Sequence, residues 1–136
     1  MYCVTVANCW THIGHIRDGQ HLRLKRNLHG DDDINGNVVD DEFQVNTFYQ
    51  SSELPEDIIG FEDGGLLAIY RETSDIIGQY SDLLAQRYDF NGNTVGDEFL
   101  VNTTTDSNQE DASAASLNDG KTVIIWWSDG DQDGSR

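Results

Sequence analysis

The chain has 136 residues, of which 37% are hydrophobic, so it can bury the core of one modest domain and is not expected to be disordered. Its formal net charge of −17 disfavours binding to nucleic acid or anionic membranes and attracts divalent cations, of which calcium is the natural candidate. No apolar run is long enough to cross a membrane and no export signal pattern is visible, so neither is expected.

The amino-terminal segment differs in composition from the rest of the chain. Residues 1–29 carry a charge of +3, whereas residues 30–136 carry −20. Four of its six cysteines and histidines, Cys3, Cys9, His12 and His15, could in principle form a zinc site. Structural zinc sites usually separate two close ligand pairs by a longer stretch, and this crowded spacing argues against one. We therefore expect residues 1–21 to be an atypical basic, cysteine- and histidine-containing segment in front of a β domain at 22–136.

The strongest feature of the β domain is an internal repeat. Residues 33–47 read DINGNVVDDEFQVNT and residues 89–103 read DFNGNTVGDEFLVNT, with 11 of 15 positions identical at an offset of 56. A period of this size typically marks a supersecondary unit that buries its apolar face against copies of itself. The sequence therefore predicts two repeats, at about 33–88 and 89–136.

Each repeat is predicted to hold four antiparallel strands. In the first, Phe43 and Val45 alternate with polar residues, a short strand follows at 57–61, and an apolar strand at 66–70 should be buried on both faces. The fourth strand covers 83–88. Between the second and third strands, Asp63-Gly64 predicts a type I′ hairpin turn.

The second repeat follows the same order, with Phe99 and Val101 on the inward side of a half-buried first strand. Segments 112–117 and 123–127 follow around Asp119-Gly120, and 123–127 should again be buried on both faces. Asn91-Gly92 predicts the hairpin that leads into this copy. The sequence ends before an equivalent of the fourth strand. Leu22–Lys25 alternates like a strand just upstream of Asn35-Gly36, so we expect it to supply that outer strand in permuted order.

These patterns predict an all-β protein built from two four-stranded antiparallel, propeller-like blades of period 56 with a permuted outer strand. β-Propellers close their rings with about four to eight blades, often with an outer strand from the other end of the chain. Two blades are too few. The predicted fold is therefore a partial β-propeller, or one that is completed by homo-oligomerisation or by additional repeats.

The repeat also resembles a known family. Several sequence elements carry the resemblance. The pattern G-[DN]-E-F-x-V-N-T lies at 96–103, an apolar strand that follows Asp-Gly and ends in W-x-S lies at 119–128, and Q-D-G-S lies at 132–135. A-Q-R-[FY]-D lies at 85–89 and N-G-N at 91–93. This repeat resembles the tandem repeats of about 55 residues in very large secreted or cell-surface bacterial proteins of the RTX type, which are described as calcium-binding. The resemblance implies a noncatalytic, structural or adhesive module of an extracellular protein.

Two acidic loops are candidate calcium sites. Asp31, Asp33, Asn35 and Glu42, with Gly36, match the loop pattern D-x-[DN]-x-[DN]-G-x5-E, in which alternate oxygen ligands surround calcium and the glutamate closes the shell. The alternative is that Asn-Gly serves only as a turn. Asp129, Asp131 and Asp133 form the second candidate, whose alternative is a solvated acidic tail.

A different function class is a glycoside hydrolase on a propeller scaffold. Residues 116–123 are similar to the Asp-box hairpin of sialidases, and Arg71 and Arg87 would have to contribute to an arginine cluster. Nucleophile-elbow and phosphate-cradling motifs are absent from the sequence, which favours a noncatalytic protein. Tyr70, Trp126 and Trp127 could stack on a carbohydrate or cell-surface ligand, although core packing is the simpler interpretation.

Overall fold

The computed structural model describes residues 10–15, 22–26, 42–45, 52–73 and 80–130, and these ranges contain nine β-strands. The strands are β1 (Trp10–His15), β2 (Leu22–Arg26), β3 (Glu42–Gln44), β4 (Ser52–Gly60), β5 (Leu66–Thr73), β6 (Ser81–Tyr88), β7 (Phe99–Leu100), β8 (Gln109–Ser116) and β9 (Thr122–Ser128). No helix occurs in the described ranges, which confirms the prediction of an all-β chain.

The strands form three antiparallel sheets. The first sheet has the order β1-β2-β3, the second β4-β5-β6-β7, and the third β8-β9. The first sheet lies against β4, and the third lies against β4 and β6. β1 falls within the segment 1–21 and pairs with β2, so part of that segment is joined to the β structure, although the division at residue 21 stays a prediction.

The predicted grouping of strands into blades was wrong by one strand. The strand around Phe43 pairs with β2 and not with β4, while the strand around Phe99 completes the second sheet. The physical reason is the hairpin at Asn91-Gly92, which reverses the chain and so places the strands before and after it side by side. The second copy of the sequence repeat therefore begins inside the second sheet, between β6 and β7.

The permuted outer strand is also not observed. β2, which contains Leu22–Lys25, has β1 on one edge and β3 on the other. A strand with both edges occupied cannot pair with a third strand. Within the described ranges, β9 pairs with β8 alone. The third sheet consequently keeps two strands where the second has four.

The hairpin turns lie where the sequence predicts them but are of another type. Phe61 N donates to Gly65 O at 2.9 Å and Gly64 N to Phe61 O at 3.0 Å, which closes a loop of three residues. Of the two central residues, only Gly64 has a positive φ, of 79°. A type I′ turn would require positive φ at Asp63 as well. The turns at Gly92 and Gly120 have the same bonds and the same glycine conformation.

The core lies on the two faces of the second sheet. One face contributes Ile58, Leu66, Ala68, Tyr70 and Tyr88, which pack with Val45 after β3. The other contributes Ile59, Leu67, Ile69, Leu83 and Ala85, which pack with Ala112, Ala114, Ile124 and Trp126 of the third sheet. β5 is therefore buried on both faces, as predicted, because a sheet lies on each side of it.

β9 does not share this burial, and the prediction that it would be covered on both faces was wrong. Val123, Ile125 and Trp127 are 47%, 67% and 61% exposed, whereas Ile124 and Trp126 between them pack on the second sheet. No element in the described ranges lies over the exposed positions. Phe99 of the two-residue strand β7, predicted to face inward, is also exposed, at 47%.

Candidate functional site

The predicted calcium ligands fall mostly outside the described ranges. This applies to Asp31, Asp33, Asn35, Asp131 and Asp133. Glu42 begins β3, where its backbone pairs with Lys25. Asp129 follows β9, and its two carboxylate oxygens accept hydrogen bonds from Asn108 N and Asn108 Nδ2, each at 2.8 Å. In the described residues, no three His, Cys, Asp or Glu side chains are grouped to hold a metal ion, and calcium stays a prediction.

The second copy of the Asn-Gly loop shows what its acidic residue does in this fold. Asp89, which corresponds to Asp33, accepts hydrogen bonds from Asn91 N at 2.8 Å and from Asn93 N at 2.9 Å. Hydrogen bonds hold the pKa of the Asp89 carboxyl below its usual value. The bond from the Asn93 side chain has the largest effect, and the backbone groups add to it. Glu98, which corresponds to Glu42, accepts a hydrogen bond from the Tyr70 hydroxyl. In this copy the motif residues bind protein groups.

A second group of charged residues lies where β4 meets β8, and we call it the carboxylate seam. It consists of Glu56, Asp57, Arg71 and Glu110. Both strands are bulged at equivalent positions, between Pro55 and Asp57 in β4 and between Glu110 and Ser113 in β8. A bulge re-aims the neighbouring side chains out of the regular pleat.

The seam ties one repeat to the main chain of the other. Glu56 Oε2 accepts a hydrogen bond from Ala112 N at 3.0 Å, and Asp57 Oδ2 accepts one from Ala114 N at 2.7 Å. These two amides lie in β8, whose only strand neighbour in the described ranges is β9. The carboxylates therefore bind the edge of β8 that β9 leaves open, and they satisfy donors that would otherwise be buried without partners.

Arg71 completes the seam between two carboxylates. Its Nε lies 3.2 Å from Glu56 Oε1, and its Nη1 donates to Glu110 Oε2. The Glu56 side chain is only 9% exposed. Burial raises the pKa of Glu56 above its ordinary value, although the Ala112 amide and the Arg71 charge act in the opposite direction. The arginine thus neutralises charge at the joint between two sheets.

A shallow cleft of ≈ 250 Å³ lies between the turns of the two hairpins. Its lining consists of Phe61, Glu62, Asp63, Arg87, Ser116, Leu117, Asn118 and Gly120. Arg87 Nη2 lies 2.7 Å from Asp63 Oδ2, and its guanidinium carbon lies 4.0 Å from the centre of the Phe61 ring. The cation in the cleft is therefore already engaged by a carboxylate and an aromatic face.

The aromatic residues considered for ligand stacking have different environments. Tyr70 is 1% exposed and belongs to the core, as the simpler interpretation predicts. Trp126 packs on the second sheet and donates through Nε1 to Gln109 Oε1 at 2.9 Å. Trp127 is 61% exposed and forms, with Val123 and Ile125, an apolar surface that we call the open face. Core packing thus explains two of the three.

The carboxylate seam was not predicted from the sequence. The strand that carries the open face was predicted, but its exposed apolar surface was not. Asp57 begins a predicted strand, and Glu56 and Arg71 each lie one residue outside a predicted strand, but no motif distinguishes them from solvated acidic or basic residues. A usable signal was that the second copy has Ala112 and Ser113 in place of the two carboxylates. This difference shows that the two copies play unequal parts at the joint.

Comparisons with protein-family models, with curated proteins and with solved structures found no match to this chain. Among the described residues, no helix has the length and apolar character needed to cross a membrane. Functional interpretation therefore depends on the geometry of the seam and the open face, together with the resemblance of the repeat pattern.

Proposed function

We propose that this protein is a noncatalytic, structural repeat module in which propeller-like sheets are joined face to face. The observation that carries the proposal is the carboxylate seam, where Glu56 and Asp57 bind main-chain amides 56 and 57 residues further along the chain. Charged groups placed in this way hold two repeats together. Their hydrogen-bonding capacity is used on the scaffold itself, which is the role expected of a building element.

The wider setting of the proposal comes from the repeat pattern. The resemblance supports a secreted or cell-surface bacterial protein with structural or adhesive function, assembled as a partial or oligomer-completed β-propeller, with calcium and carbohydrate as ligands. A calcium titration followed by thermal melting tests the cation, because a ligand bound only by the folded state raises the melting temperature. The matched control replaces Asp129, Asp131 and Asp133 by Asn, and an equal shift in this variant would exclude that loop.

The glycoside hydrolase alternative gains no support from the arginines that it would use. Arg71 is bound between Glu56 and Glu110, and Arg87 is bound to Asp63. A substrate carboxylate would have to displace these partners. Turnover of a sialoside by the wild-type protein, lost in an Arg71→Met variant that still folds, would restore this alternative.

Amide hydrogen exchange tests the seam directly. We expect the amides of Ala112 and Ala114 to be protected in the wild-type protein and to exchange faster in a Glu56→Ala/Asp57→Ala variant, which loses both acceptors. The matched control is Glu56→Gln/Asp57→Asn, which keeps an acceptor oxygen at each position and should keep the protection. Equal exchange in the two variants would show that the seam does not join the sheets.

A further inference from the structure

The open face has an exact counterpart in the second sheet that is fully covered. Val123 and Ile125 stand 56 positions after Leu67 and Ile69. Leu67 and Ile69 are 5% and 1% exposed, whereas Val123 and Ile125 are 47% and 67% exposed. The same kind of strand therefore presents the same kind of surface twice, and only the first is covered within the described part of the chain.

The cover over Leu67 and Ile69 is itself a sheet of the same kind. It is the inner face of the third sheet, formed by Ala112, Ala114, Ile124 and Trp126. The corresponding inner face of the second sheet includes Ile58, Ala68 and Tyr70, and it packs with Val45 at the end of β3. The second sheet thus packs against the first sheet with one face and is covered by the third sheet on the other. In the described ranges this series stops at β9.

β9 also lacks the neighbour that its counterpart has. β5 pairs with β4 on one edge and with β6 on the other, whereas β9 has β8 as its only partner strand in the described residues. An apolar face beside an open strand edge is the surface on which β proteins associate. The third sheet thus presents an apolar face and an open strand edge together at β9.

Charge indicates which surface fits there. The strands of the first sheet carry Arg23, Lys25 and Arg26 against Glu42, a charge of +2. The strands of the third sheet carry Glu110 and Asp111, a charge of −2. The first and last sheets of the series are therefore electrostatically complementary, while the net charge of −17 disfavours nonspecific association of two copies.

From these observations we propose that the open face binds the first sheet of a second copy of this chain, head to tail. The inference builds on the proposed function, because it continues between molecules the face-to-face packing that joins the repeats within one. A head-to-tail interface forms a closed ring or an open series. Two copies, each with three sheets, would bring together six, within the range of about four to eight that closes a propeller.

Sedimentation velocity across a concentration series tests the proposal. We expect the wild-type protein to form a dimer of twice 15.2 kDa, and we expect Ile125→Lys to raise the dissociation constant about tenfold or more, because it buries a charge in the interface. Ile125 is 67% exposed, so the variant should fold as a monomer with an unchanged circular dichroism spectrum. The matched control is Leu117→Lys, at a 46% exposed turn position outside the open face, which should associate like the wild type.

A mixing experiment tests the direction of the contact. A second variant, Lys25→Glu/Arg26→Glu, reverses charge on the first sheet and leaves the open face intact. Neither variant should associate alone, but their equimolar mixture should, because one supplies an intact first sheet and the other an intact open face. Association of the Lys25→Glu/Arg26→Glu variant on its own would show that two open faces pair with each other and would overturn the proposal, as would no association in the mixture beside a wild-type dimer.

A wild-type protein that stays monomeric at the highest concentration reached would also overturn it, as would a dimer unaffected by Ile125→Lys. Either result leaves the proposed function open to its own test, since protection of the Ala112 and Ala114 amides is measured within one chain. If the wild-type protein is monomeric and the two amides exchange faster in the Glu56→Ala/Asp57→Ala variant, the proposed structural function is supported and binding of a second copy is excluded.

Discussion

At the residue scale, Asn102 shows why the V-N-T signature of the repeat is useful to the fold. Val101 N donates to Leu83 O at 2.8 Å, which is the last backbone bond between this segment and β6. Asn102 Oδ1 then accepts from Leu83 N at 2.8 Å, while its Nδ2 donates to Asp82 and to Thr104 O. The side chain thus replaces a missing strand partner. Asn102-Thr103-Thr104 also fits the pattern of an N-glycosylation acceptor, but the Asn102 side chain is 2% exposed and its amide is used within the fold.

Replacing Asn102 by Ala should lower the free energy of unfolding by about 2 kcal/mol, because Leu83 N would be left buried without an acceptor. Urea denaturation followed by tryptophan fluorescence measures the change. Thr103→Ala is the matched control at an exposed neighbouring position and should change stability by less than about 0.5 kcal/mol. Equal effects of the two substitutions would contradict this role of Asn102.

Glu56 gives the seam a dependence on pH. Because burial raises the pKa of Glu56 in the folded state, that state binds a proton more readily than the unfolded chain does. The stabilising effect of protonation is complete below the unfolded pKa and is lost as pH rises through the folded pKa. We therefore expect this residue to make the protein more stable as pH falls through the window just above the ordinary pKa of a glutamate.

Thermal melting between neutral pH and that window measures the effect. Glu56→Gln should remove part of the pH dependence seen in the wild type. Glu62→Gln removes the same charge from an exposed position in the cleft and corrects for the general relief of repulsion in an acidic protein. Identical profiles for the two variants would show that Glu56 does not titrate differently on folding.

At the scale of elements, the positions of the hairpins could be predicted but their geometry could not. Asp-Gly and Asn-Gly suit a type I′ turn and equally suit a three-residue loop that ends in a left-handed glycine. The choice depends on which residues form the last ladder pair, such as Phe61 with Gly65. Similar apolar runs likewise predicted β5 and β9 well, but the number of covered faces depends on neighbouring sheets that no local pattern reveals.

The seam was beyond sequence reasoning for a related reason. Glu56 and Glu110 are far apart in the chain, and they approach Arg71 only because two bulged strands pack against each other. Asp89 illustrates the opposite case. It repeats one ligand position of the calcium-loop pattern, in a copy that has Arg87 in place of the first ligand, and in the folded chain its carboxylate is used by the turn that contains it. A local pattern predicts which groups are present more reliably than which partners they find.

The turn geometry makes a prediction at Gly120, whose φ is 79° and whose position has no atom within 4 Å of an added Cβ. Gly120→Ala should cost about 1 kcal/mol, from the left-handed backbone alone, and Gly120→Asn should cost less because Asn tolerates this conformation. Chemical denaturation of both variants provides the comparison. Equal costs, or no cost for Ala, would be inconsistent with a left-handed residue here.

At the scale of the whole molecule, the described sheets form a series with the second sheet in the middle. Leu83 lies on its face toward the third sheet and is 0% exposed. Ser81, at the start of the same strand, donates through its hydroxyl to Gln109 O at 3.0 Å in β8. Apolar contacts and hydrogen bonds therefore join the same two sheets, and we expect them to unfold together.

Leu83→Ala tests this cooperativity. Loss of a fully buried leucine side chain should lower the free energy of unfolding by about 2–5 kcal/mol in a single transition. Leu117→Ala makes the same chemical change at a position that is 46% exposed and should have an effect below about 0.5 kcal/mol. Two separate transitions in Leu83→Ala would show that the sheets fold independently.

The carboxylate seam has a consequence for how such a chain can evolve. Glu56 and Asp57 hold the adjoining strand through the amides of Ala112 and Ala114, which every amino acid except proline possesses. Substitutions on the receiving strand therefore leave the attachment intact, so long as the inward side chains stay small enough to pack. Duplicated units can drift apart in sequence while their mode of stacking is inherited unchanged.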